Sequence, residues 1–128
     1  MTLATRTVTL PGGLQATLVH QPQADRAAAL ARVAAGSHHE PSRFPGLAHL
    51  LEHLLFYGGE RYRDDDRLMG WVQRQGGSVN ATTLARHSAF FFEVAAGDLA
   101  DGVARLQEML QAPRLLSDDI QREVAVID

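Results

Sequence analysis

Gly46-Leu47-Ala48-His49-Leu50-Leu51-Glu52-His53-Leu54-Leu55-Phe56-Tyr57-Gly58-Gly59 reads as one amphipathic helix with a breaker at each end. Leu47, Leu50, Leu51, Leu54 and Leu55 recur at helical spacing, Pro45 suits the first helical position, and Gly58-Gly59 closes the segment. At about 3.6 residues per turn, His49 and His53 stand one turn apart and about 40° apart around the axis, with Glu52 about 60° from His49. The leucines take the opposite side. The helix is expected to be apolar behind and polar in front.

That placement suggests a chemistry. Two imidazoles one turn apart can bind one metal ion from the same side, which zinc favours. Zinc lowers the pKa of its bound water toward about 7 and polarises a peptide carbonyl, and a carboxylate beside that water can carry its proton to the leaving amine. His49 and His53 are therefore the candidate zinc ligands and Glu52 the candidate general base. With six histidines and six glutamates in 128 residues, chance alone would give His-x-x-Glu-His in about one or two such chains per hundred. Two core histidines on a leucine-lined helix would each need a buried partner, which weakens a purely structural reading.

Outward from this helix, strands and helices are both expected. Residues 5–10 and Leu14 to His20 read as two strands joined by Pro11-Gly12-Gly13, a hairpin. Ala27 to Ala35 fits a strand or a short helix, and the hairpin before it and Gly36 after it favour the strand. Gly36 to Gly46 is loop. Asp64 to Gln75 is expected to be a second helix, with its acidic residues in the first turn and Leu68, Trp71 and Val72 inward. Gly76-Gly77 ends it, and Ser78–Thr83 and Ser88–Val94 follow as strands. Asp98 to Leu110 has an apolar face of Leu99, Val103, Leu106 and Leu110. After Pro113, Ser117-Asp118-Asp119 starts a last helix, with Ile120, Val124 and Ile127 at helical spacing. The fold expected is α+β, a mainly antiparallel sheet flanked by helices, in one domain over residues 1–128.

Composition narrows the partners. A net charge of −3 argues against nucleic acid. All twelve basic residues are arginine, a bias to which no function is attached. No cysteine is present, so any metal must be held by histidine and carboxylate. Residues 1–6 lack a signal-peptide pattern and no apolar run approaches the roughly 20 residues of a membrane span. The expectation is a cytoplasmic protein without a membrane partner. His20, His38, His39 and His87 are expected to be solvated.

The segment from Gly46 to Gly59 resembles the zinc helix of the M16 metallopeptidases, the pitrilysin and insulin-degrading enzyme family, whose inverted motif is His-x-x-Glu-His. Three further blocks agree in order and spacing: Ala34-Ala35-Gly36-Ser37, the run from Gly76 to Thr83 with the aromatic strand Phe90-Phe91-Phe92-Glu93-Val94, and Gln121 to Asp128. Within the family the chain is most similar to the branch that processes the precursor peptide of pyrroloquinoline quinone in bacteria. The resemblance implies zinc at His49 and His53, Glu52 as general base, and Asn80 and Ala81 on an edge strand that pairs with an extended peptide. An ordinary edge position near a turn is the other reading of those two residues. It also implies that Glu123 points toward the site and that the third ligand is a glutamate seven residues later, at position 130. Asp128, about 200° from that position around the helix, is a poor substitute. A C-terminal half or a partner subunit is expected to complete the substrate chamber, so the 128 residues alone are expected to be inactive. Two alternatives remain: a non-catalytic segment that binds peptide through an edge strand, and a small zinc-stabilised domain, which would need a fourth ligand that the sequence does not offer.

Overall fold

The computed structural model describes residues 3–127. The first two strands, β1 (Ala4–Thr9) and β2 (Gln15–His20), pair antiparallel as a separate two-stranded sheet. Their turn is closed by Leu10 N–H donating to Leu14 O at 2.7 Å and Gly13 N–H donating to Leu10 O at 3.0 Å. The run of small residues after it is a strand, β3 (Arg26–Val33), as the flanking turns suggested. It pairs antiparallel with β5 (Ser88–Ala95), which pairs on its other side with β4 (Ser78–Thr83), so β5 is central and, among the described residues, β4 has a free edge.

Side chains alternate across a strand, and β5 shows it plainly. Phe90, Phe92 and Val94 are buried, while Phe91 is half-buried and Glu93 exposed, its carboxylate 3.0 Å from Arg26. The inner face packs on α2 (Leu68–Arg74) and α3 (Leu99–Gln111), giving a core of Leu55, Leu68, Trp71, Val72, Phe90, Phe92, Val94, Leu106 and Met109. Beside it lies α1 (Leu47–Leu55), and α4 (Ser117–Ile127) packs on α1. No helix among the described residues is long and apolar enough to cross a membrane.

Four local expectations need correction. Pro45 is not the first helical residue: α1 starts at Leu47, after Gly46 in a left-handed conformation with φ 86°. Asp64 to Gln75 is not one helix. Asp64–Asp66 form a separate 3-10 turn, entered through Asp64 at φ 54°, and Arg67 is extended before α2 begins. The acidic run therefore does not sit in the first turn of α2. Val103 and Val124 are exposed; on α3 the inward positions are Gly102, Leu106 and Met109. Finally, α1 does not bury all its leucines. Leu54 and Leu55 are in the core, but Leu47 and Leu51 face an apolar cavity of about 240 Å³ that Val33 and Phe90 also line.

Candidate active site

The polar front of α1 is assembled as the helical spacing requires. His49 Nε2 and His53 Nε2 converge to 3.2 Å, their rings nearly perpendicular. Two nitrogens held at about 2.0–2.1 Å from one tetrahedral zinc would be about 3.3–3.4 Å apart, so the pair fits such an ion without rearrangement. Glu52 offers its carboxylate within 4.8 Å of both imidazoles, and these three are the group suited to a metal ion among the described residues. All three donors are nitrogen or oxygen, as expected in a chain without cysteine.

Helix α4 supports one of the two histidines. Glu123 Oε2 lies 3.0 Å from His53 Nδ1, and Tyr57 donates its hydroxyl hydrogen to Glu123 Oε1 at 2.8 Å. A carboxylate can only accept, so Nδ1 carries a proton; partners of this kind fix the tautomer and orientation of metal-binding imidazoles. The hydrogen bond to Glu123, aided by burial and by the negative charge of that carboxylate, raises the Tyr57 pKa above its ordinary 10.0. Asp119, one turn before Glu123, is buried and pairs with Arg122 at 3.0 Å.

Strand β4 supplies the floor. Thr83 donates its hydroxyl hydrogen to Glu52 Oε2, tying the carboxylate to the strand. Asn80 is exposed and Ala81 half-buried on this free edge. The Ala81 N–H donates to Asn80 Oδ1 at 2.8 Å, so it points away from β5 and is shielded by its own neighbour. Between α1 and β4 opens a cavity of about 490 Å³, bounded by Ser37, Glu40, Gly46, His49, Glu52 and residues 81–83.

The sequence-derived residues thus divide by position. His49, Glu52, His53 and Glu123 come together, and Asn80 and Ala81 lie on the strand that walls the same cavity. His38 and His39 fall in a 3-10 turn, where His39 Nδ1 accepts the Gly36 N–H at 3.0 Å; His20 ends β2, and His87, in the β4–β5 turn, is 3.5 Å from Arg32. Asp128 lies outside the described residues. Sequence reading gave no role to Tyr57, Thr83 or Glu40. Tyr57 follows His53 by four residues, a usable signal; the other two reach the site only through the fold.

The family model of insulinase, peptidase family M16, matches residues 15–128. Over 128 residues the chain is 95% identical to the coenzyme PQQ synthesis protein F of Klebsiella pneumoniae, covering 100% of this chain and 17% of that protein. The protein of the same name from Pseudomonas aeruginosa is 55% identical over 119 residues, 93% of this chain and 15% of its own length. Among solved structures, pitrilysin is similar with a TM-score of 0.92 and 32% identity, over 98% of this chain and 13% of that one. The chain spans about one-sixth of the length of these curated relatives. On the match of sequence, fold and motif, it belongs to the M16 family of peptidases.

Proposed function

We propose that the chain carries the catalytic helix of a zinc metalloendopeptidase and that its substrate is the precursor peptide of pyrroloquinoline quinone. The observation that carries the reading is the convergence of His49 Nε2 and His53 Nε2 at 3.2 Å beside the Glu52 carboxylate. The names of the similar bacterial proteins support the substrate. With the substrate goes the cytoplasmic setting expected from the sequence. His49 and His53 would hold the ion, with a third ligand at position 130 and the rest of the chamber contributed by a C-terminal half or a partner subunit.

Zinc bound there would supply Lewis acidity toward the scissile carbonyl and a water acidified toward a pKa of about 7. The chain's own residues do the rest. Glu52, steadied by Thr83, takes the proton of the attacking water and passes it to the departing amine, a role that in general is worth about 10²–10⁴-fold in rate. Glu123 holds His53 in the tautomer that presents Nε2. The free edge of β4 takes an extended peptide as an added strand, the substrate carbonyl replacing Asn80 Oδ1 on the Ala81 N–H.

Zinc titration of metal-free protein by calorimetry tests this. His49→Ala and His53→Ala should lose the site, whereas Glu52→Gln should keep it. Equal affinity in all three variants would leave α1 as a packing element only. A second measurement concerns the edge. Since the Ala81 N–H is not part of the β4–β5 ladder, Ala81→Pro should leave the fold intact and abolish capture of an extended peptide. Peptide binding unchanged from wild type would move recognition to another surface.

A further inference from the structure

The two histidines are held by different means. His53 is anchored at Nδ1 by Glu123, but among the described residues the His49 ring has no hydrogen-bond partner except His53 Nε2. Its place is therefore set by the backbone of the first turn of α1, of which it is the third residue. The first N–H groups of a helix have no acceptor within it, and here Gly46, in the capping position, has no side chain to offer.

Glu40 supplies what is missing. Its Oε1 accepts the Gly46 N–H at 2.9 Å and its Oε2 the Ala48 N–H at 2.9 Å. The strap that carries it, Gly36 to Glu40, is pinned to the β4–β5 turn: Ser37 N–H donates to Leu84 O at 2.9 Å and His38 N–H to Ala85 O at 2.8 Å. At Gly36 a Cβ would come within 2.1 Å of Leu84 O, so only glycine admits this approach. Leu84 directly follows Thr83, which holds Glu52. The end of β4 is thus joined to α1 twice, to its middle through Thr83 and Glu52 and to its start through the strap and Glu40.

We propose that Glu40 is a positioning residue of the metal centre: anchored by its strap to the β4–β5 turn, its carboxylate fixes the first turn of α1 and so keeps His49 Nε2 opposite His53 Nε2. This rests on the zinc reading above. The two backbone hydrogen bonds, that from Ala48 foremost, hold the Glu40 carboxyl below its ordinary 4.5, against a small opposing effect of burial, so it is ionised at neutral pH. Glu40 also borders the cavity of His49 and Glu52, but both its oxygens are engaged by the backbone, which sets it apart from a ligand.

The test compares wild type, Glu40→Gln, Glu40→Asp and Leu106→Ala in the 128-residue chain, by zinc calorimetry and amide hydrogen exchange at neutral pH. Direct partners of metal ligands are typically worth about 10–100-fold in affinity, and Glu40 acts one step further off, so Glu40→Gln should weaken zinc binding about 3–10-fold. It keeps the size of the side chain but replaces one acceptor with a donor, so exchange at Gly46 or Ala48 should quicken. Glu40→Asp, with both acceptors but one methylene short, should fall between, and it carries the comparison should Glu40→Gln fail to fold. Leu106→Ala removes core packing on α3 and none of the hydrogen bonds of Glu40 or its strap; it should lower the thermal midpoint and leave zinc affinity within about twofold. Wild-type affinity in both Glu40 variants, or an equal loss in Leu106→Ala, overturns the proposal. A loss as complete as in His49→Ala would make Glu40 a ligand and overturn it too. No zinc binding by the wild type would instead overturn the zinc reading, and this inference with it.

Discussion

Phe92→Ala should cost about 3–5 kcal/mol of folding stability, a large share of the roughly 5–15 kcal/mol available to a domain. Phe92 is 2% exposed, on the inner face of the central strand, facing Val79 and Ala29 in the register of its two neighbours. Its ring lies against α3 so closely that a Cβ at Gly102 would stand 2.4 Å from it, so truncation removes the surface on which the helix packs. Phe91, on the opposite face of the same strand, is half-buried, and Phe91→Ala should cost clearly less. Urea denaturation of the two variants measures the difference. Equal losses would mean that the alternation of β5, and with it the side on which the helices pack, is misassigned.

Much of this arrangement is written in local patterns. The period of two in β5 and the period of 3.6 in α1 locate a sheet face and a helix face without any partner being known. His49, Glu52 and His53 belong to one helix, so their convergence follows from spacing alone. Where local pattern misleads, a neighbour decides. Val103 looks like the inward residue of α3, yet Gly102 takes that place because the Phe92 ring needs it. A helix glycine costs about 1 kcal/mol against alanine, and here it allows the close approach of helix and sheet. Leu47 and Leu51 match the helical period as well as Leu54 and Leu55, but they border the apolar cavity and stay 40% and 44% exposed. The run Asp64–Asp66 has the composition of a helix start; Arg67 breaks it by turning extended, its guanidinium 5.3 Å from the centre of the Tyr57 ring. Glu40, Thr83 and Glu123 reach the site across 8, 31 and 70 residues of sequence. Pattern within one element says nothing about such pairs; for Glu123, family resemblance stood in for geometry.

The largest effect expected is on turnover: residues 1–128 alone should release no peptide product above the background of Glu52→Gln, although Glu52 is present and steadied. A catalytic zinc ordinarily takes three protein ligands and keeps one position open. His49 and His53 provide two, so the ion would be held loosely, without a fixed water beside Glu52. The edge of β4 can align a peptide from one side only, and in well-oriented systems positioning is worth about 7–11 kcal/mol of barrier. Loss of both contributions outweighs the 10²–10⁴-fold or so that a general base can return. A version extended past position 130 should bind zinc markedly tighter, yet gain little turnover until the opposing half of the chamber is added. Separate steps in affinity and in rate are what two independent deficits require. A quenched fluorescent peptide assay, with zinc and with a chelator, reads the rate, and calorimetry reads the affinity. Robust turnover by the 128-residue chain, dependent on both zinc and Glu52, would mean that the third ligand comes from within these residues. That ligand would be Asp128, or Glu123 after it leaves His53 Nδ1, a change that the Tyr57 hydrogen bond to its other oxygen opposes.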